Sequence, residues 1–236
     1  MKNQYFCDIS DYYKYGLLRL ITKHTNLNIG VCWMLTKDDD KKNDKRKQYL
    51  SQPERWQHYD PNLYEFLKDC YCHGNDITKI DKTILPACKF HSPSVELEDN
   101  AGARQQYFNE FKRLAQSCDL LFFDPDTGME VPSTRYGYQD SSKFLYWCEA
   151  RQLYELGYSL LIFQHHKRYL KHEELISRLR KESLTNIGNV PSFYRTTYAT
   201  FLLIAQNTHL EIFKDLNKTI EAAWQHKIKV EVSQKL

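Results

Sequence analysis

Glycine is scarce in this chain of 236 residues, which contains only eight of them. That is about half of the usual share of roughly 7%, and the eight glycines are spread singly along the sequence. A loop that binds nucleotide phosphates needs closely spaced glycines, because its backbone amides must approach the anion. Neither G-x-G-x-x-G nor G-x-x-x-x-G-K-S/T occurs. We therefore do not expect a P-loop protein or an ordinary Rossmann dehydrogenase.

Long apolar runs and a strong excess of one charge are also missing. No run reaches the roughly 18 residues of a membrane span, and the first residues lack the apolar core of a signal peptide. The 33 Lys and Arg against 30 Asp and Glu give a net charge of only +3, so no global field attracts nucleic acid. Seven cysteines show no pairing pattern, as expected of reduced thiols. These features predict a soluble, cytoplasmic protein with no membrane partner.

Metal-binding and nucleophile motifs are weak. Cys70, Cys72, Cys88 and His91 lie within a short span, which allows a zinc site. Only one residue separates the first two cysteines, however, whereas zinc sites usually have two to four. No serine stands in a G-x-S-x-G motif, so a hydrolase with a nucleophile elbow has no support.

Helical patterns alternate with apolar strands along the chain. Helices are predicted over 11–23, 60–71, 101–118, 143–156, 173–182 and 220–224, and strands over 28–36, 84–90, 120–123, 159–164, 198–205 and 210–213. Ser10 and Asp60 are placed to cap the first two helices. The last two strands are expected to pair as a hairpin, and residues 189–195 to form a loop. The pattern predicts a single α/β domain, a three-layer sandwich with a mainly parallel sheet.

Two segments fall outside this alternation. Residues 37–48 are almost wholly charged, which is typical of a mobile, solvated loop. The C-terminal tail is expected to fray.

The sequence around residues 120–130, LLFFDPDTGME, combines a buried strand with a polar end. In open parallel sheets the crevice beyond the strand tips collects catalytic groups. Asp124, Asp126 and Glu130 are therefore candidates for catalysis or for holding a metal, with Pro125 between the first two. The alternative is an ordinary turn with solvated carboxylates.

A second strand tip follows the same logic. Residues 159–163 run directly into His165 and His166, and imidazole and carboxylate groups would converge if the two strands are neighbours. Such a set could hold a divalent metal or perform general acid-base catalysis. Lys167 and Arg168 could bind a substrate phosphate. The alternative for both histidines is a polar strand end without a role.

Three further residues are weaker candidates. Asp8, in a cluster with Lys14 ahead of the first strand, could contact a cofactor, and so could Asp44, which lies near Arg46 in the charged loop. Tyr136 follows the acidic strand tip and could cover the crevice as a substrate-binding residue.

Two motifs together resemble a known family. The helix with KYGLL at 14–18 and the strand end FFDPDTGMEV at 122–131 resemble Rossmann-type methyltransferase-like proteins, in particular three-Cys-motif partner proteins and adenine-N6 ribosomal RNA methyltransferases. The resemblance implies a Rossmann-like sheet and S-adenosylmethionine as cofactor. It also implies that Asp124, Pro125 and Asp126 hold the target amino group. The sequence departs from the family in having no glycine-rich turn after residues 31–36, and Asp126 replaces a second proline.

Three hypotheses follow. The first is a methyltransferase-like enzyme that acts on nucleic acid or a nucleotide at Asp124. The second is a phosphodiesterase or nuclease that uses Mn, Mg or Zn held by Asp124, Asp126, His165 and Glu130. The third is a catalytically inert binding or assembly subunit with a protein partner.

Overall fold

The computed structural model describes residues 1–38, 44–74, 76–93, 99–166 and 170–232. The described helices are α1 Ile9–His24, α2 Pro53–Trp56, α3 Pro61–His73, α4 Thr78–Thr83, α5 Ala101–Leu114, α6 Trp147–Glu155, α7 His172–Ile187 and α8 Leu210–Trp224. None of these helices combines the length and the apolar character that crossing a membrane requires. The strands are β1 Ile29–Cys32, β2 Lys89–His91, β3 Leu120–Phe123, β4 Gly128–Met129, β5 Phe144–Leu145, β6 Ser159–His165, β7 Ser192–Arg195, β8 Ala199–Ile204 and β9 Lys229–Glu231.

Seven of the described strands form one mixed sheet in the order β2-β1-β3-β6-β8-β7-β9. The first four strands in this order are parallel. The β8 strand is antiparallel to both β6 and β7, and β9 is antiparallel to β7. The chain steps outward in opposite directions from β1 and β3, so the crevice between their carboxyl ends is a topological switch point. This is the edge at which parallel sheets usually bind ligands.

Helices cover both faces of the sheet because its central strands are apolar on both sides. In β3, Leu120 and Phe122 join one buried cluster, whereas Leu121 and Phe123 join another. The first cluster contains side chains from α1, α3 and α8, and the second contains side chains from α5, α6 and α7. A strand buried on both faces needs no polar alternation, which explains the continuous apolar run in the sequence.

The first helices begin close to where their capping residues predict. Asp60 caps α3, accepting a hydrogen bond from the Leu63 amide with Pro61 in the first turn, as expected. The cap of α1 is Asp8 and not Ser10, because the Asp8 carboxylate accepts from the amides of Ser10 and Asp11. This correction extends the helix and places Ser10 inside its first turn.

The C-terminal hairpin differs from the prediction. Residues 210–213 do not form a strand but begin α8, which continues through the predicted 220–224 segment. The partner of β8 is β7, within the 189–195 segment predicted as a loop. Within the charged 37–48 segment, Asp44–Ser51 is a 3-10 helix, while 39–43 lie outside the described residues. The last strand, β9, was not predicted, and the tail beyond residue 232 is also outside them.

Candidate functional site

A cavity of about 430 Å³ opens at the carboxyl ends of β3 and β6. The two strands are parallel neighbours, with Phe123 paired with Ile162, so their tips lie side by side. The cavity is lined by Met1, Lys2, Tyr5, Asp8, Ser10, Asp11, Lys14, Arg46, Asp124, Pro125, Asp126, Thr127, Lys143, Phe163, His165 and His166. The structure therefore brings the acidic and the imidazole-bearing strand tips to one site.

The acidic turn is fixed by Gln164 of the neighbouring strand. The Gln164 side chain accepts a hydrogen bond from the Met129 amide at 2.8 Å and donates to the Thr127 carbonyl at 3.2 Å. Gly128 has a φ of +125°, and a Cβ there would lie 2.3 Å from the Gln164 side chain. Only glycine fits this position, so the glycine of the DPDTG sequence shapes the turn that carries the carboxylates.

A buried lysine joins α1 to the acidic turn. The Lys14 ammonium lies 2.5 Å from Asp124 Oδ2 and 2.7 Å from Asp11 Oδ1, with all three side chains almost fully buried. Burial alone would lower the pKa of Lys14, but the two carboxylates raise it above its usual range. Burial raises the pKa of Asp11 to about 7, against the opposing charge of Lys14. Lys14 thus remains a cation that orients Asp124.

The tip of β1 is occupied by the start of the chain. The Met1 backbone nitrogen donates to the carbonyls of Met34 and Asp124, at 2.8 Å and 3.0 Å. The Met1 carbonyl accepts from the Thr36 amide at 2.7 Å. Protein backbone therefore fills the position after β1 at which a glycine-rich turn would contact a cofactor.

Three polar groups that line the cavity have no hydrogen-bond partner among the described residues. They are the Asp126 carboxylate, the two ring nitrogens of His165 and the buried hydroxyl of Ser10. The Asp124 carboxylate uses Oδ2 for Lys14, and no described residue donates to its Oδ1. Ser10 is buried, and buried polar groups in native proteins are normally paired. Asp126 and His165 are half-buried. All three groups are available to a ligand or to water.

Both histidines at the β6 tip are held neutral. Burial, with the nearby charges of Arg46 and Lys14, lowers the pKa of His165 to about 3. The His165 ring contacts Phe163 edge-on at 4.7 Å between centroids. Burial and the neighbouring ring of His172 lower the pKa of His166 to about 4. His166 also bonds to the Thr200 hydroxyl at 2.8 Å, so His165 is the freer of the two.

Asp8 and Arg46 form the side of the cavity next to α1. Asp8 is largely committed to capping the helix, and burial raises its pKa despite the charges of Lys14 and Arg46. One Arg46 nitrogen lies 3.7 Å from Asp8 Oδ2, and its guanidinium lies 5.6 Å from the ring centre of Tyr198. The side chain of Asp44, the other predicted cofactor residue, lies outside the described part of the chain.

Two candidates lie away from the cavity. Glu130 caps α6, because its carboxylate accepts from the Trp147 amide at 2.6 Å. Tyr136 packs edge-on against Tyr146 and beside the Arg104 guanidinium, in a separate cluster. The placement of Glu130 removes it from the predicted set of metal ligands, and Tyr136 does not cover the crevice.

Lys167 and Arg168, predicted to bind substrate, lie outside the described residues. Within the residues that are described, no group of three or more His, Cys, Asp and Glu side chains is arranged to hold a metal ion. This finding includes the predicted zinc cluster, in which Cys72 is exposed while His91 packs edge-on against Tyr107.

Sequence reasoning missed several groups in the cavity. The local pattern indicates only a helix cap at Ser10, and it places Lys143 and Phe163 in a helix and a strand without indicating a role in a site. The spacing of Asp8, Asp11 and Lys14 carried a usable signal, because residues three apart share one face of a helix. The sequence could not show that this face meets the tip of a strand more than a hundred residues later.

No match to the chain was found among models of protein families, among curated proteins or among solved structures.

Proposed function

We propose that this protein is an enzyme that cleaves phosphoesters, with a nucleotide or nucleic acid as substrate and Mg²⁺ or Mn²⁺ as cofactor. The observation that carries the proposal is the pair of carboxylates, Asp124 and Asp126, that leaves one strand tip and enters a cavity shared with a neutral imidazole and several cations. Carboxylates, imidazole and cations are the groups that phosphoryl transfer uses for positioning and charge stabilisation.

The carboxylates fit a magnesium ion that binds together with substrate. Mg²⁺ usually takes one or two protein carboxylates and completes its shell with water and substrate phosphate. Asp124 Oδ1 and the Asp126 carboxylate have no partner among the described residues and would supply these oxygens. When bound, the ion would offset the negative charge of the phosphoryl group and activate water.

The remaining groups act on substrate and protons. Lys14 fixes the orientation of the Asp124 carboxylate by donating a hydrogen bond to its Oδ2. His165 is neutral, so one ring nitrogen can donate a hydrogen bond while the other accepts one. Lys143 also lines the cavity, although its ammonium forms an ion pair with Asp140 at 2.6 Å.

The sheet also supports a finer assignment, a three-layer Rossmann-like fold. Helices on both faces of a largely parallel sheet, with a switch point beside the site, favour this assignment.

A methyltransferase would use the same sheet. However, the described residues at the tip of β1 do not fit S-adenosylmethionine in the way the resemblance implies. No glycine turn follows β1, and Met1 hydrogen-bonds there to Met34 and Thr36. We derive no step through that cofactor.

An inert subunit would have less reason to keep such a cavity. A site without ligand chemistry tends to pair its buried polar groups internally, whereas the buried Ser10 hydroxyl has no partner among the described residues. The half-buried Asp126 and His165 line the same cavity, also without a described partner.

The test is phosphate release or strand cleavage by the full chain. Suitable substrates are p-nitrophenyl phosphate, bis-p-nitrophenyl phosphate, nucleotides, and single-stranded DNA and RNA oligonucleotides, each with Mg²⁺, with Mn²⁺ or with a chelator. We expect metal-dependent cleavage and, in Asp126→Asn, a loss of about 100-fold or more. Because Asp126 has no described partner, this variant should keep the melting temperature of the wild type.

The matched control is Asp69→Asn, which changes an exposed carboxylate on α3 and should leave cleavage unaltered. Absence of metal-dependent cleavage with every substrate, or full activity in Asp126→Asn, would reject the proposal. Calorimetric binding of S-adenosylmethionine, followed by methyl transfer to an oligonucleotide, would favour the methyltransferase hypothesis in its place.

A further inference from the structure

Arg46 is the arginine that lines the cavity within the described residues, and it lies between two structural elements. It belongs to the 3-10 helix Asp44–Ser51, while its guanidinium lies over the ring of Tyr198, just before β8. Arg46 and His165 line the same cavity. Arg46 therefore lies between Asp8, at the start of α1, and Tyr198, at the start of β8.

The hydrogen-bonding capacity of Arg46 is not used by the described part of the chain. Its nearest carboxylate oxygen, Asp8 Oδ2, is 3.7 Å away, which is too long for a hydrogen bond. No other described residue accepts a hydrogen bond from the guanidinium. The side chain is about one-third exposed, with a relative accessibility of 34%. A guanidinium has five N–H donors in a planar fork that matches the oxygens of a phosphate.

Two further groups on the same cavity complete a set of donors. The Ser10 hydroxyl is buried, with 2% of the residue exposed, and it has no partner among the described residues. A hydroxyl in this state gains a hydrogen bond when a ligand oxygen or a water reaches it. His165 offers one ring N–H. Hydroxyl, imidazole N–H and guanidinium are all donors to a phosphoryl oxygen.

The adjacent carboxylates do not prevent an anion from binding here. Asp8 accepts two backbone amides at the start of α1, at 2.7 Å and 3.1 Å. Asp11 and Asp124 are both held by Lys14. Arg46 thus forms only a long ion pair with Asp8, at 3.7 Å, and its N–H donors stay available to an anion.

We propose that Arg46, together with Ser10 and His165, forms an anion subsite that anchors the phosphoryl group of the substrate. This inference rests on the proposed function, since it assigns the side of the cavity that holds the phosphate. The substrate would then lie with its phosphate beside α1 and the 3-10 helix, and with its ester bond towards Asp124 and Asp126. Arg46 would govern substrate affinity, whereas the strand-tip carboxylates would govern the rate of cleavage.

The test measures binding of inorganic phosphate to the full chain, by calorimetry or by ³¹P NMR line broadening, without metal and at low salt. We expect the wild type to bind phosphate, Arg46→Ala to weaken binding by about tenfold or more, and Ser10→Ala to weaken it less. Arg46→Lys should recover only part of the affinity, because lysine lacks the planar fork. Added methylguanidine should restore binding to Arg46→Ala.

The matched control is Arg55→Ala, which removes an exposed arginine that lies against Trp56, outside the cavity. Phosphate affinity should not change in this variant. Wild-type chain that fails to bind phosphate, or Arg46→Ala that binds as tightly as the wild type, would overturn the subsite.

The two proposals can fail separately. Phosphate binding through Arg46, in a chain that cleaves no phosphoester, would retain the subsite and reject the proposed function. Metal-dependent cleavage with an unchanged KM in Arg46→Ala would retain the function and reject the subsite. If both proposals hold, Arg46→Ala raises KM by about tenfold with a smaller change in kcat.

Discussion

Two buried ion pairs on opposite faces of the sheet have very different surroundings. Arg104 of α5 and Glu149 of α6 form a bidentate salt bridge, with Nε 2.6 Å from Oε1 and Nη2 2.9 Å from Oε2. Arg104 also donates to the carbonyls of Ser141 and Phe144, and Glu149 accepts from the Tyr146 amide. Both charged side chains are therefore fully engaged by the protein.

The pair formed by Lys14 with Asp11 and Asp124 is incomplete by comparison. Its ammonium is engaged, but Asp124 Oδ1 has no described donor, and Asp126, His165 and Ser10 beside it are unpartnered. A buried network that satisfies all its members stabilises a particular fold, whereas one with free members has a high cost unless something binds. The difference favours a structural role for the Arg104 network and agrees with our proposal that the Lys14 network belongs to a functional site.

Breaking the Arg104 network, in which every charged group is paired, should have the largest effect on stability. Arg104→Met leaves the Glu149 carboxylate buried without its cation, which costs about 3–5 kcal/mol. Burial already raises the pKa of Glu149 although Arg104 opposes it, so protonation would relieve only part of this cost. Unfolding in urea, followed by circular dichroism, measures the loss.

The control for this change is Arg113→Met, an exposed arginine on the same helix, which should stay within about 0.5 kcal/mol of the wild type. Phosphate binding per folded molecule should be the same in both variants. An Arg104→Met chain that is as stable as the wild type, but has lost phosphate binding, would reverse the roles that we assign to the two networks.

Much of the sheet could be predicted from the sequence where local pattern and tertiary environment agree. The β3 and β6 strands are continuous apolar runs, and their burial on both faces explains why. The strand prediction for residues 210–213 was wrong because Leu210 and Phe213 also fit the buried face of a helix. A run of four residues cannot distinguish a strand from a helix. The β9 strand is short and mostly polar, and it depends on its pairing with β7.

The site could be predicted only as far as the strand tips. The adjacency of Asp124 and His165 follows from parallel neighbouring strands, and the structure has this arrangement. Glu130, predicted to join them, does not line the cavity and instead accepts a hydrogen bond from the first residue of α6. The cavity positions of Arg46 and Ser10 depend on how α1 and the 3-10 helix pack against the sheet, which no local pattern encodes.

A change at Gly128 tests whether the Lys14 network depends on a rigid turn. Gly128→Ala introduces a Cβ 2.3 Å from the Gln164 side chain at a φ of +125°, so backbone strain and a displaced hydrogen-bonding group act together. We expect a loss of about 3 kcal/mol in the free energy of unfolding. Cleavage activity should fall as well, because Asp124 and Asp126 leave the same turn.

The comparison variant is Gly157→Ala, which also has a positive φ, +96°, but has no atom within 4 Å of the new Cβ. Only the backbone cost of about 1–2 kcal/mol should remain, without effect on activity. If Gly128→Ala lost no more stability and no more activity than Gly157→Ala, Gln164 would not be what fixes the turn that carries the carboxylates.

The smallest effect expected is the loss of stability at acidic pH that His165, beside the Lys14 network, causes. Burial, with the charges of Arg46 and Lys14, lowers the pKa of His165 to about 3 from its usual value of 6.5. Between these values the unfolded chain binds a proton that the folded chain does not, so this contribution to stability is present above pH 6.5 and is lost as the pH falls. One proton corresponds to about 1.4 kcal/mol per pH unit.

His165→Gln should therefore flatten the dependence of the unfolding free energy on pH below 6.5, by less than this limit because the ring borders an open cavity. His226→Gln, at an exposed histidine after α8, should leave the dependence as it is. Urea unfolding at a series of pH values from 7 to 4.5 distinguishes the variants. Equal slopes in His165→Gln and the wild type would mean that His165 is solvated in the folded protein. The contrast between the Arg104 network and the Lys14 network would then rest on Ser10 and the carboxylates alone.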